Sequence, residues 1–151
     1  MKLDNDTWVL VADGAKALTL VNEGDADIIN LRRVSVKEEH HARTAEMGTD
    51  RPGRVHQSGA NGTMRSAGEQ TDWHAQAERD FVRGIADDID EAMRAGRFRK
   101  LVIVAAPRAL ADLRNSLGAD ARAATVAELA KDLTSHPIPD IEKILTDWDP
   151  R

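Results

Sequence analysis

A continuous apolar run, KLVIVAA at Lys100–Ala106, constrains the fold of this chain more than any other feature. The run has the length of one β-strand, and a strand without alternating polar residues is typically buried on both faces. Such a strand needs covering layers on both sides of its sheet. A long helical pattern precedes the run, and Pro107 after it suits the first position of another helix. We therefore expect a central strand in a sheet that helices cover.

Residues 7–36 predict an antiparallel meander. Thr7–Ala12 (TWVLVA) and Ala17–Val21 (ALTLV) are β-prone runs, and the Asp13-Gly14 pair between them is a strong signal for a hairpin turn. Asp27–Val36 reads as a third strand, with an edge position as one option.

Helical periodicity begins at Thr71, a suitable N-cap residue, and ends at Gly96. Apolar residues recur at spacings of three to four along this helix, and they predict one buried stripe that includes Trp73, Ala77, Phe81, Ile85 and Ile89.

The C-terminal third predicts two more helices, Pro107–Leu117 and a last one that starts near Pro137. Ala121–Leu129 is ambiguous between strand and helix. We favour a strand near Arg122–Val126, because it would then lie parallel to Lys100–Ala106.

The order β-β-β-loop-α-β-α-β-α predicts an α/β fold with a single mixed β-sheet, in which an N-terminal antiparallel meander is joined by parallel strands and covered by helices. A length of 151 residues fits one domain, residues 1–151, with a long flexible loop at about 37–70. The chain has no apolar run of about 20 residues, and its N-terminus does not resemble a secretory signal. We expect a cytoplasmic protein with no membrane partner, and the oligomeric state stays open.

Patterns that carry catalysis are missing from the sequence. There is no cysteine, the five histidines fit no standard zinc spacing, and no P-loop or G-x-S-x-G motif occurs. Asp13 is expected to be a turn residue rather than a nuclease carboxylate, since neither Lys100–Ala106 nor Ala121–Val126 is followed by a carboxylate. We therefore predict no catalytic residue, no metal and no cofactor, and we favour a protein that is not an enzyme.

The segment between Arg51 and Gly68 is rich in glycine and contains three arginines but no acidic residue. The net charge of −5 argues against a molecule that coats nucleic acid as a whole, yet it allows a local basic patch. Unhindered backbone N–H groups and guanidinium groups both suit phosphates. The candidate RNA- or anion-binding residues are Arg51, Arg54, His56, Gln57, Asn61 and Arg65. An ordinary solvated loop is the alternative.

Several stretches together resemble the bacterial host attachment proteins, which are named for a proposed requirement in attachment to host cells. They are WVLVADGAKA, DRPGR with the Gly/Ser-rich stretch after it, EQTDWHAQAERDFVRGIADDID, KLVIVAAPRALADLR and ELAKDLTSHPIPDIEKIL. The resemblance covers the chain from Thr7 to Leu145.

That family is similar to the middle domain of archaeo-eukaryotic class 1 peptide release factors. The likeness implies an RNase H-like topology, with a glycine-rich loop before a long helix and a ribosome or tRNA as partner. The Gly-Gly-Gln triplet of those factors is absent, because neither Gln57 nor Gln70 follows two glycines. The resemblance thus favours a non-catalytic module that contacts RNA or the ribosome. The alternatives are a surface or regulatory protein needed for attachment to host cells, and a hydrolase that uses His56 and Gln57.

Overall fold

The computed structural model describes residues 1–39 and 67–150, and for 67–71 only the backbone. In this part of the chain, five strands form one sheet in the order β3-β2-β1-β4-β5. β1 pairs antiparallel with β2 and β2 with β3, whereas β4 is parallel to both β1 and β5. The strands are β1 (Trp8–Ala12), β2 (Lys16–Asn22), β3 (Leu31–Glu38), β4 (Leu101–Ala105) and β5 (Thr125–Ala130). The predicted α/β fold with a single mixed sheet is confirmed.

Among the described residues, four helices cover this sheet: α1 (Ala67–Arg94), α2 (Pro107–Ser116), α3 (Ala119–Ala124) and α4 (Ile138–Asp147). α1 is about 42 Å long by the rise per residue of an α-helix. None of these helices combines the length and the apolar character that crossing a membrane requires.

The central strands β1 and β4 are buried on both faces of the sheet. On one face, Leu10 and Ile103 pack with Phe81 and Ile85 of α1 and with Leu113 of α2. On the other face, the neighbouring strand residues pack against α4, through Val9, Val11, Val102, Ile141 and Leu145. The expected central position of the run at Lys100–Ala106 is therefore confirmed.

The third strand lies at an edge of the sheet, and β3 continues to Glu38. α1 begins at Ala67, four residues before the predicted start at Thr71. Regular structure therefore extends into both ends of the segment predicted as loop at about 37–70.

The predicted strand near Arg122–Val126 is wrong in its position. Residues Ala119–Ala124 (ADARAA) form α3 instead, and β5 follows from Thr125 to Ala130. Alanine favours helix, and Asp90 of α1 holds the start of α3, since both of its carboxylate oxygens accept from the backbone N–H of Gly118 at 3.0 and 3.1 Å. The predicted parallel pairing with β4 is confirmed.

The prediction that Trp73 belongs to the buried stripe of the long helix is also wrong. Its side chain is 48% exposed, and the described side chains of residues 72–80 include no buried one. Burial starts at Phe81 and continues through Ile85 and Ile89. The N-terminal part of α1 therefore carries apolar residues at helical spacing, but the structure describes no layer of residues that buries them.

Candidate functional site

The carboxyl ends of β1, β4 and β5 meet at one edge of the sheet, where Ala12 pairs with Ala105 and Ala105 with Ala130. Ligands of open α/β sheets bind outside this edge. A crevice of about 290 Å³ lies there, between the β1–β2 hairpin, α1 and the start of α2. The polar and turn residues that line it include Asp13, Gly14, Glu78, Arg108, Asp112 and Asp132.

Asp13 organises the hairpin that forms one wall of the crevice. Its Oδ1 accepts hydrogen bonds from the backbone N–H groups of Ala15 and Lys16 at 2.8 and 2.7 Å. The predicted role of Asp13 as a turn residue is therefore confirmed. Its other oxygen, Oδ2, lies 3.0 Å from the hydroxyl of Thr134, so Asp13 also ties the hairpin to the chain after β5.

Asp132 follows β5 and shares the same hydroxyl. Thr134 Oγ1 lies 2.7 Å from Asp132 Oδ1, which also accepts from the Thr134 backbone N–H at 3.0 Å. The expectation that no carboxylate follows the second parallel strand is wrong, because β5 ends at Ala130 and not near Val126. Asp13 and Asp132 thus lie at the ends of two parallel strands and are linked through one buried hydroxyl.

Replacement of Thr134 by Val is expected to lower the free energy of unfolding by about 1–2 kcal/mol. Valine keeps the shape of the side chain but removes the only proton that the hydroxyl can donate to the two carboxylates. Urea denaturation measures the change. Thr146→Val is the matched control, because the hydroxyl of Thr146 bonds only to a carbonyl on the exposed side of α4, and it should change stability by less than about 0.5 kcal/mol. Equal stabilities of the two variants would contradict the linking role of Thr134.

The opposite wall comes from α1 and α2. Glu78 Oε1 lies 3.7 Å from the Arg108 guanidinium. A Cβ at Gly14 would lie 2.5 Å from Glu78 Oε2, so the glycine leaves room for the Glu78 carboxylate beside the hairpin.

The charges of this crevice decide what it can bind. It is lined by four carboxylates and one guanidinium, a net charge of −3 (1 − 4) among its described residues. Such a surface repels phosphate groups. No three His, Asp or Glu side chains in residues 1–39 and 72–150 are grouped as a metal site requires.

The predicted contact residues Arg51, Arg54, His56, Gln57, Asn61 and Arg65 lie outside the described residues. The two ends of their segment can be followed. The backbone N–H of Glu39 donates to the carbonyl of Ala15 at 2.8 Å, so the chain leaves β3 beside the hairpin of the crevice. α1 then runs from the edge where Glu78 lines the crevice to the opposite edge, where it leads into β4.

Sequence reasoning missed Glu78, Arg108, Asp112 and Asp132. The position directly after a parallel strand is a usable signal, and it would have found Arg108 after β4 and Asp132 after β5. Glu78 has no such signal, because it reaches the crevice from the middle of a long helix.

The strand order is β3-β2-β1-β4-β5, with β2 antiparallel to its neighbours, and helices pack on both faces of the sheet. A family model described as bacterial archaeo-eukaryotic release factor family 12 matches residues 6–145. The chain therefore belongs to this family. No curated protein matches the chain. The match supports the release-factor-like similarity, and the resemblance to host attachment proteins stays a prediction.

Proposed function

We propose that this chain is a release-factor-like module that contacts RNA, on the ribosome or as tRNA, through its segment 48–70, without catalysing peptide release. Family membership supports the release-factor-like class. The observation that carries the proposal is that this segment lies between the end of β3 and the first turn of α1 in the sequence and holds three arginines, with no acidic residue between Arg51 and Gly68.

Electrostatics favours the segment over the crevice as the RNA contact. The crevice has a net charge of −3 and repels phosphates, whereas Arg51, Arg54 and Arg65 can each donate to phosphate oxygens. Glycines beside them leave backbone N–H groups accessible. We expect the RNA backbone to bind the segment and not the crevice.

The sequence of the segment supports a contact role rather than a release reaction. Gln57 follows Val55-His56 and precedes Ser58-Gly59, and Gln70 follows Glu69. Neither glutamine follows the pair of glycines that precedes it in the release-factor triplet. We propose that the module occupies an RNA surface and leaves the ester bond intact.

Joint replacement of Arg51, Arg54 and Arg65 by Ala should weaken binding to tRNA and should flatten its salt dependence. Each phosphate contact releases counterions, so the slope of log K against log salt should fall in magnitude by about 2. Fluorescence anisotropy with labelled tRNA over a salt series measures both quantities. The matched control removes three exposed cations from α1, α3 and α4, namely Arg83, Arg122 and Lys143.

The control keeps the same change in net charge but leaves the segment intact, so its slope should equal that of the wild type. Equal slopes for all three proteins would contradict the proposal. Deletion of residues 53–66 tests the hydrolase alternative, since hydrolytic activity that persisted without them would not depend on His56 or Gln57.

A further inference from the structure

A larger cavity lies at the opposite edge of the sheet from the crevice. It has a volume of about 480 Å³ and is formed by residues 4–7, which lead into β1, and by residues 96–100, which join α1 to β4. This volume lies within the usual range for a small-molecule site. Its lining includes Asp6, Thr7, Arg97, Phe98, Arg99 and Lys100.

One wall of the cavity is cationic and preoriented. The Arg97 guanidinium lies 5.2 Å from the centre of the Trp8 ring, and Trp8 stacks on Phe98 at 4.9 Å. Stacking fixes the plane of the guanidinium while its edge stays free to donate hydrogen bonds. Arg99 is exposed and has no ion pair with a described residue.

The lining of this cavity is cationic overall. Lys100 pairs with Asp4, and the lining as a whole contains three cations and two carboxylates, a net charge of +1 (3 − 2). The cavity therefore attracts an anion, in contrast to the crevice at the other edge.

Helix capping does not account for all of these cations. The end of α1 is closed by backbone bonds from Gly96 to Met93 and from Arg97 to Ala92, both at 3.0 Å. Arg94 lies in the last turn, where a cation interacts favourably with the helix dipole. Arg99 lies beyond the helix and lines the cavity, where its guanidinium is available to a ligand.

The opposite wall contains one unsatisfied buried group and one exposed carboxylate. Thr7 is 2% exposed, and its hydroxyl has no hydrogen-bond partner among the described residues, although buried polar groups are nearly always bonded. Asp6 has a φ of 68° in the turn that the bond from the Thr7 N–H to the Asp4 carbonyl closes at 3.2 Å, and aspartate adopts this conformation more often than most residues. Its exposed carboxylate has no cation partner in the described part of the chain, so it can accept hydrogen bonds from a ligand. A buried hydroxyl without a partner, as at Thr7, is a group that a bound ligand or water can satisfy.

We propose that this cavity binds a ribonucleoside monophosphate unit. Arg97 and Arg99 donate to the phosphate oxygens, and the Asp6 carboxylate accepts hydrogen bonds from the ribose hydroxyls, as acidic residues do in nucleotide-binding folds. The unit comes either from a free nucleotide or from the end of an RNA strand. The proposal does not rest on the RNA contact of segment 48–70, because none of the residues that line this cavity belongs to that segment.

Isothermal titration of the full chain with UMP, dUMP and inorganic phosphate tests the proposal. UMP should bind about tenfold more tightly than dUMP, because a hydrogen bond to a carboxylate is lost with the 2′-hydroxyl. Arg99→Ala should weaken both nucleotides by about tenfold or more. Arg122→Ala, which removes an exposed arginine of α3, should bind like the wild type.

Asp6→Gly separates binding from stability. Glycine adopts a φ of 68° without strain, so the variant should melt at the same temperature as the wild type or higher. The variant should bind UMP no more tightly than it binds dUMP. An unchanged ratio of the two affinities in this variant would overturn the assignment of Asp6.

Two results would overturn the site itself: no binding of UMP at millimolar concentration, or inorganic phosphate binding as tightly as UMP. RNA trinucleotides with a 5′- or 3′-phosphate identify the source of the unit. Tighter binding of a trinucleotide than of UMP supports an RNA end, and weaker binding supports a free nucleotide.

Discussion

Replacement of Asn22 by Ala is expected to lower the free energy of unfolding by about 4 kcal/mol. Asn22 is fully buried at the end of β2, and its side chain holds together the turn that leads to β3. Its Oδ1 accepts from the backbone N–H groups of Gly24 and Asn30, both at 2.9 Å. Alanine would leave both donors without this acceptor.

The amide nitrogen of Asn22 binds a different part of the chain, the residues that lead into β1. It donates to the carbonyl of Leu3 at 2.9 Å, with longer contacts to the carbonyls of Asp4 and Asp25 at 3.3 and 3.4 Å. The bond to Leu3 is buried, whereas those from Gly24 and Asn30 are partly buried. A cost of about 1–2 kcal/mol for each of the three backbone groups left without a partner accounts for the expected total.

Chemical denaturation of the wild type and of Asn22→Ala, analysed with a common m-value, measures this change in the free energy of unfolding. Asn115→Ala is the matched control, because Asn115 is exposed on α2 and the change should alter stability by less than about 0.5 kcal/mol. A loss below about 1 kcal/mol for Asn22→Ala would show that water or a shifted backbone replaces the side chain.

Replacement of Gly24 by Ala is expected to be nearly as damaging, with a loss of about 3 kcal/mol or more. A Cβ at this position would lie 2.1 Å from the carbonyl oxygen of Ile28 and 3.0 Å from the backbone nitrogen of Asn30. Both are backbone atoms of the same turn. Relief of the clash would stretch the bonds from Asp25 to Ile28 and from Glu23 to Asn30, now 3.0 and 2.8 Å long.

Gly84→Ala is the control with the opposite sign. Gly84 lies within α1, and the nearest atom to an added Cβ is Lys37 Nζ at 3.6 Å, an ordinary contact. Alanine should therefore raise stability by up to about 1 kcal/mol through its helix propensity. Thermal melts of the two variants should lie on opposite sides of the wild type, and a Gly24→Ala variant that melts with the wild type would refute the clash.

Local sequence patterns predicted the centre of the sheet well. The apolar run at Lys100–Ala106, the hairpin at Asp13-Gly14 and the edge strand after Asp27 all follow from hydrophobicity over a few residues. In each case the neighbours in sequence determine the structure, because burial on both faces or a tight turn leaves few alternatives.

Long-range contacts explain what the sequence did not predict. ADARAA forms α3 because it packs beside α1, where Asp90 binds the N–H of Gly118, and this displaces β5 towards the C-terminus. Trp73 continues a helical stripe that has no described layer beneath it, so periodicity alone could not predict its exposure. Glu78 reaches the crevice only because α1 passes the hairpin at Gly14.

The most direct test of the RNA contact is sedimentation with purified ribosomes at low and high salt. The wild type should sediment with ribosomes at low salt and stay in the supernatant at high salt. The variant without Arg51, Arg54 and Arg65 should stay in the supernatant at both, while the control without Arg83, Arg122 and Lys143 should behave as the wild type. Two results would contradict the proposed RNA contact of segment 48–70. One is a wild type that remains in the supernatant at low salt, and the other is a variant without the three arginines that sediments as the wild type does.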